Sequence, residues 1–152
     1  MLQCLTKSKA QLHKPLFEKA NQLGITIFSS PFDFSAVELL EELNAPAYKI
    51  ASFELTDLPL IRAVAKLNKP IFLSTGMSSL DEIGEAVECI KTSGNSDILL
   101  FHCISNYPAL IDELNLANIN HLRKIFDLEV GLSDHTLNNK ASMLSIGLGA
   151  AA

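Results

Sequence analysis

Hydrophobic positions along this chain fall into two rhythms. Five short runs are almost continuously apolar: "ITIFSS" (25–30), "AYKIAS" (47–52), "PIFLST" (70–75), "DILLFHCIS" (97–105) and "LEVGLS" (128–133). Runs of this length predict strands, and the lack of strict alternation predicts that both faces are covered. The segments between them repeat with helical spacing. In "FSAVELLEEL" (34–43), Val37, Leu40 and Leu43 form one stripe, and Ser35 and Glu38 have capping-box spacing. "LPLIRAVAKL" (58–67) follows Asp57 as N-cap, with Pro59 in the first turn. "SLDEIGEAVECIKT" (79–92) opens on a second capping box, Ser79 with Glu82, and Gly94 ends it. Weaker helical patterns cover 116–126 and 138–148, and a helix over 11–23 precedes the first strand.

A helix after every strand is the signature of a parallel sheet, so the fold class is α/β. Each predicted strand closes on or beside a serine: Ser30, Ser52, Ser74, Ser105 and Ser133. The intervals are 22, 22, 31 and 28 residues, each the size of one βα unit. A complete (β/α)8 barrel takes about 250 residues, whereas this chain has 152. It opens on a helix with no strand before it and closes on a helix with no strand after it. The expectation is a partial TIM barrel of about five βα units rather than a small open doubly wound domain.

Composition narrows the function. The chain is 48% hydrophobic with a mean hydropathy of +0.24, enough for a packed core. No apolar run approaches the roughly 18–20 residues of a membrane span. "MLQCLTKSKAQLHK" lacks the apolar core and cleavage site of a secretory signal, so a cytoplasmic location is expected. Net charge is −5, with acids and bases mixed, which argues against nucleic acid or an anionic membrane as partner. Cys4, Cys89 and Cys103 are odd in number and form no CxxC pair, so free thiols in a reducing compartment are expected.

In a parallel α/β fold the functional groups gather at the carboxyl ends of strands. One serine there is commonly a helix cap or turn residue. Five converging on one mouth suit a phosphate or carboxylate, which needs several short hydrogen bonds. Lys49 lies inside the apolar run "AYKIAS", where an unpaired ammonium is costly to bury. Its chemistry leaves three readings open: the cation for a bound phosphate, a Schiff-base nucleophile, or a snorkelling edge lysine. Gly76 in "STGM" permits close backbone approach at a strand end. His102 is out of phase with Ser105, which favours a structural role. In "GLSDHT" (131–136), Ser133 and His135 share a face and Asp134 faces away, free to bond backbone or a neighbour. His135 is a candidate metal ligand or acid–base group, although no HxH, HxxxH or DxD pair accompanies it.

Taken in order, "FSSPFD", "AYKIAS", "FLSTGM", "HCISNYP" and "GLSDHT" resemble the sialic acid synthase family, and several positions are closest to its pseudaminic acid synthases. The resemblance implies a (β/α)8 barrel followed by a small antifreeze-like domain in a homodimer. It implies condensation of phosphoenolpyruvate with an amino sugar aldehyde, assisted by Mn²⁺ or Mg²⁺. By motif position, Ser30, Lys49, Ser52, Ser74, Ser105 and Ser133 would bind phosphoenolpyruvate. Lys49 and His135 would be catalytic, His135 as a metal ligand, and Phe32 and Tyr107 would shape the pocket. The resemblance also implies that residues 1–152 are an incomplete barrel holding the third to seventh strands. The first two strands, the last strand and the antifreeze-like domain would be absent. Two other readings stand beside the synthase: a lysine Schiff-base aldolase, and a fragment that is inactive and poorly soluble because barrel edges are left unpaired.

Overall fold

The computed structural model describes residues 2–152, with side chains from Leu12 onward, so Cys4 lies outside the described side chains. Helix α1 (Leu2–Leu23) leads into α2 (Phe34–Glu42), β1 (Tyr48–Ile50), α3 (Leu58–Ala65), β2 (Ile71–Ser74) and α4 (Leu80–Thr92). Then come β3 (Ile98–Cys103), α5 (Asn118–Phe126), β4 (Glu129–Ser133) and α6 (Lys140–Gly147). The strands form one four-stranded parallel sheet in the order β1-β2-β3-β4. Sequential parallel neighbours joined by helices are the arrangement the apolar rhythm predicts.

Alternation along the strands decides where the core sits. Tyr48, Ile50, Ile71, Leu73, Ile98, Leu100 and Val130 share the buried face and pack in one cluster with Leu60, Ile61, Val64, Ile83, Ile90 and Ile119. Each fully buried aliphatic side chain of this set contributes about 1.5–3 kcal/mol. The opposite face carries Lys49, Phe72, Leu99 and Phe101 and is only half-buried. There Phe28, Phe72 and Phe101 meet edge to face, at centroid distances of 5.0 and 6.0 Å. An apolar second face is why the strands read as continuous rather than alternating.

Two expectations are corrected. The run 25–30 is not a strand. It makes a single parallel bridge, Ser29 to Tyr48, with the Lys49 N–H donating to the Ser29 carbonyl at 3.2 Å. Paired on one side, and with Ile25 and Phe28 exposed, it has neither the ladder nor the burial that holds a strand extended. The cap of α2 is Asp33, not Ser35. The Asp33 carboxylate accepts from the Ala36 N–H at 2.8 Å and from the Ser35 hydroxyl at 2.7 Å, so Ser35 falls inside the first turn. The other caps form as read. Asp57 accepts from Leu60 N–H, Ser79 and Glu82 make a reciprocal box, and Gly94 takes φ +95°.

After α6 the chain runs back beside β4. The Ala151 N–H donates to the Val130 carbonyl at 2.9 Å, and the Leu132 N–H to Ala152 O at 2.8 Å. Gly131 admits this approach, since a Cβ there would stand 2.7 Å from Ala152 O and 2.8 Å from the Phe101 ring.

Beneath the sheet, Glu41 accepts hydrogen bonds from the buried Tyr48 hydroxyl and from Lys69. Desolvation pushes the Glu41 carboxyl up, but the bonds from Lys69 and Tyr48 outweigh it and hold it below its ordinary value. A lowered folded-state value means stability that is present above the unfolded value and lost as pH falls through the folded one. Urea unfolding from pH 6 to pH 3 should therefore show a steeper acid loss for the native chain than for Glu41→Gln. Equal slopes would show that the pair contributes nothing.

Candidate functional site

The carboxyl ends of the four strands converge on one cleft, lined by Lys49, Ser52, Ser74, Ser105, Ser133 and His135, with Tyr107, Phe53, Ala51 and Cys103 completing the wall. Its volume of about 50 Å³ holds roughly three or four water-sized groups, the scale of a phosphate or carboxylate. Six of the predicted site residues and Tyr107 are thus brought together. Ser30 and Phe32 are not among the lining residues. Ser30 ends the segment that fails to pair as a strand and Phe32 lies just beyond it, largely exposed.

Each donor has an identifiable support. Lys49 sits mid-strand in β1, in register with Phe72. Among the described residues the ion pairs are Lys69–Glu41 and Arg123–Glu129, so no carboxylate neutralises Lys49. Ser52 opens the short 3-10 turn Ser52–Glu54, and its Oγ accepts from the Gly76 N–H at 3.2 Å. Ser74 ends β2 at 2% exposed, and its Oγ has no hydrogen-bond partner. A buried hydroxyl left unpaired costs about 1–3 kcal/mol, a cost a bound anion would relieve. Gly76 lets the turn after β2 press into the cleft. A Cβ there would lie 2.5 Å from Ser105 Oγ and 2.9 Å from both Ser52 Oγ and Cys103 Sγ.

His135 is held by its other nitrogen. Nδ1 lies 2.7 Å from the Ile104 carbonyl, which can only accept, so Nδ1 carries a proton. Nε2 faces Ser133 Oγ at 3.5 Å, and the ring stacks at a tilt on Tyr107, 4.3 Å between centroids. The Ala109 N–H donates to the His135 carbonyl at 3.0 Å and ties the loop after β3 to the loop after β4. Asp134 points away, accepting from the Thr136 N–H and the Ser142 hydroxyl. Burial raises its carboxyl, but these bonds, Ser142 foremost, bring it below its ordinary value. His102 is buried against the Leu114 carbonyl at 2.6 Å, in the structural role its phase indicated.

Three lining residues were missed by the sequence reading, Ala51, Phe53 and Cys103, and Ala51 contributes only backbone and a methyl group. Cys103 had a signal: it lies two residues before Ser105, on the side of the strand that carries Phe101. Phe53 had none, because it stands in the 3-10 turn, where strand alternation no longer applies.

The lining set offers hydroxyl, thiol and imidazole groups around one fixed cation, with no carboxylate. Such a set selects an anion. For a metal the inventory is thinner. His135 offers one nitrogen in a usable tautomer, but among the described residues no group of three or more His, Cys, Asp or Glu side chains could hold an ion. No helix among the described residues is long and apolar enough to cross a membrane.

Comparison with known proteins places the chain in a family. The NeuB family profile matches residues 1–152. The chain is 46% identical over 138 residues to the pseudaminic acid synthase of Helicobacter pylori, covering 91% of this chain and 41% of that protein. It is 42% identical over 153 residues to the N,N'-diacetyllegionaminic acid synthase of Campylobacter jejuni, covering 98% and 46%. The solved N-acetylneuraminic acid synthetase of Leptospira borgpetersenii, in complex with citrate, superposes with a TM-score of 0.88 at 30% identity, covering 93% of this chain and 49% of that one. The chain therefore spans less than half the length of these relatives, and its sheet is part of a (β/α)8 barrel.

Proposed function

The chain belongs to the NeuB family, and from that premise we propose that it carries the anion-binding part of a nonulosonate synthase, one that joins phosphoenolpyruvate to an N-acetylated amino sugar aldehyde. The pseudaminic acid branch is the proposed subtype, supported by the likeness to the Helicobacter protein. The observation that carries the reading is the cleft itself: Lys49, without an acidic partner, surrounded by Ser52, Ser74, Ser105 and Ser133, one of them buried with an unpaired hydroxyl.

Phosphoenolpyruvate is small and highly charged, and an acidic chain offers it no general attraction. Lys49 supplies the charge, and the serines supply directional donors to phosphate and carboxylate oxygens. Held there, the enol C3 attacks the aldehyde carbon and forms the new C–C bond. Water adds at C2, and the tetrahedral intermediate expels inorganic phosphate by C–O cleavage, leaving a 2-keto acid. We propose Mn²⁺ or Mg²⁺ as cofactor, with His135 as one ligand through Nε2, which Nδ1 orients by donating to Ile104. When bound, the cation would polarise the sugar aldehyde.

The test is phosphate release from phosphoenolpyruvate by the full-length protein, with a panel of N-acetylated hexosamines and Mn²⁺. Release that requires both sugar and metal is expected. No release with any sugar of the panel would overturn the reading. In the same assay His135→Ala should raise the Mn²⁺ concentration for half-maximal rate by about 10- to 100-fold. An unchanged metal requirement would remove His135 from the ligand set.

A further inference from the structure

Ser52 differs from the other hydroxyls in the cleft in being held by two protein groups, a backbone N–H and a thiol. The Gly76 N–H donates to Ser52 Oγ at 3.2 Å. Cys103 Sγ lies 3.3 Å from the same oxygen, and Cys103, 4% exposed, has no other hydrogen-bond partner among the described residues. A hydroxyl has one proton and two acceptor sites. Either atom can donate across the Ser52–Cys103 contact; when the thiol donates, the backbone N–H and the thiol proton fill both acceptor sites, and the Ser52 proton has one direction left, into the cleft. Ser74 Oγ, buried and unpaired on the wall of that same cleft, marks where hydrogen bonds to a ligand are still to be made.

We infer that Cys103 and Gly76 are positioning residues: together they fix the Ser52 hydroxyl as a ready-made donor to the bound anion. The inference rests on the anion-site reading above and adds a role for a thiol that composition alone files with the core. The thiol forms no covalent bond in this role. A donor aimed before the ligand arrives costs no reorganisation when the ligand binds, which is why the arrangement strengthens anion binding rather than fold stability.

Cys103→Ala removes the donor, whereas Cys103→Ser keeps one, so the pair separates hydrogen bonding from packing. Titration of the full-length protein with inorganic phosphate, and separately with phosphoenolpyruvate, by calorimetry gives the readout. Cys103→Ala should weaken both anions by about five- to tenfold. Cys103→Ser should recover most of that loss even if its melting temperature falls below that of the alanine variant, because serine fits a buried apolar wall less well. Native affinity in Cys103→Ala, or a serine variant no better than alanine, would overturn the positioning role. Failure of the unsubstituted protein to bind either anion would instead overturn the anion-site reading, and this inference with it.

Discussion

Lys49→Met is expected to lower kcat/KM for phosphoenolpyruvate by about 100- to 1,000-fold while leaving the melting temperature unchanged or slightly higher. The two halves of this result come from one fact. Lys49 is the one fixed cation among the cleft residues, and among the described residues no carboxylate pairs with it. Its charge therefore does little for the folded state except cost desolvation, and an unbranched apolar side chain of similar length removes that cost. For a ligand carrying a phosphate and a carboxylate, the same ammonium supplies the central attraction. A stability loss as large as the activity loss would show that Lys49 is structural.

Lys49→Arg then separates the clamp from the Schiff-base alternative. A guanidinium keeps the charge and the donors but cannot condense with a carbonyl. A phosphate clamp predicts measurable residual turnover in Lys49→Arg and no adduct when the unsubstituted protein is treated with pyruvate and borohydride. A Schiff-base aldolase predicts a dead arginine variant and a trapped adduct at Lys49. The register supports the clamp, since Lys49 points to the side of the sheet shared by Ser74 and Ser133, a ring of donors that imine chemistry does not need.

How far the site could be read from the chain depended on how local each signal is. Asp57, Ser79 with Glu82, and Gly94 act within one turn of helix, and all three behave as the spacing indicated. Four strands were legible because their apolar runs are covered on the helix side by residues such as Ile61, Ile83 and Ile90. The segment 25–30 has the same composition, but strand formation is a property of pairs, and only Ser29 finds one. Ser30 and Phe32 fall outside the cleft lining because the segment that carries them is anchored to the sheet by that one bridge. At α2, Ser35–Glu38 and Asp33–Ala36 are competing caps two residues apart. The carboxylate prevails because it satisfies the Ala36 N–H and the Ser35 hydroxyl together. Cys103 escaped because a thiol in an apolar run reads as core, although its phase with Ser105 pointed to the cleft, where it lies 3.3 Å from Ser52 Oγ.

Gly76→Ala should be the most damaging single methyl group in the protein. The backbone of Gly76 does not need a positive φ, as Gly24, Gly94 and Gly149 do, so alanine meets no conformational objection there. The objection is where the methyl points: 2.5 Å from Ser105 Oγ and 2.9 Å from Ser52 Oγ and Cys103 Sγ. None of these is the end of a long side chain that could swing aside. Two of the atoms are proposed ligand donors, and the third holds one of them in place. Relief requires either rotating Ser52 and Ser105 away from the cleft or lifting the Gly76 turn, which breaks the N–H bond to Ser52. Overpacking of this kind costs about 1–3 kcal/mol in stability, and losing two directed donors should weaken phosphate binding on the order of 100-fold. The two effects can be measured apart, by thermal unfolding without ligand and by phosphate titration of the folded fraction. If folded Gly76→Ala binds phosphate with native affinity, then Ser52 and Ser105 are not the anion's donors, and the ligand rests on Lys49, Ser74 and Ser133.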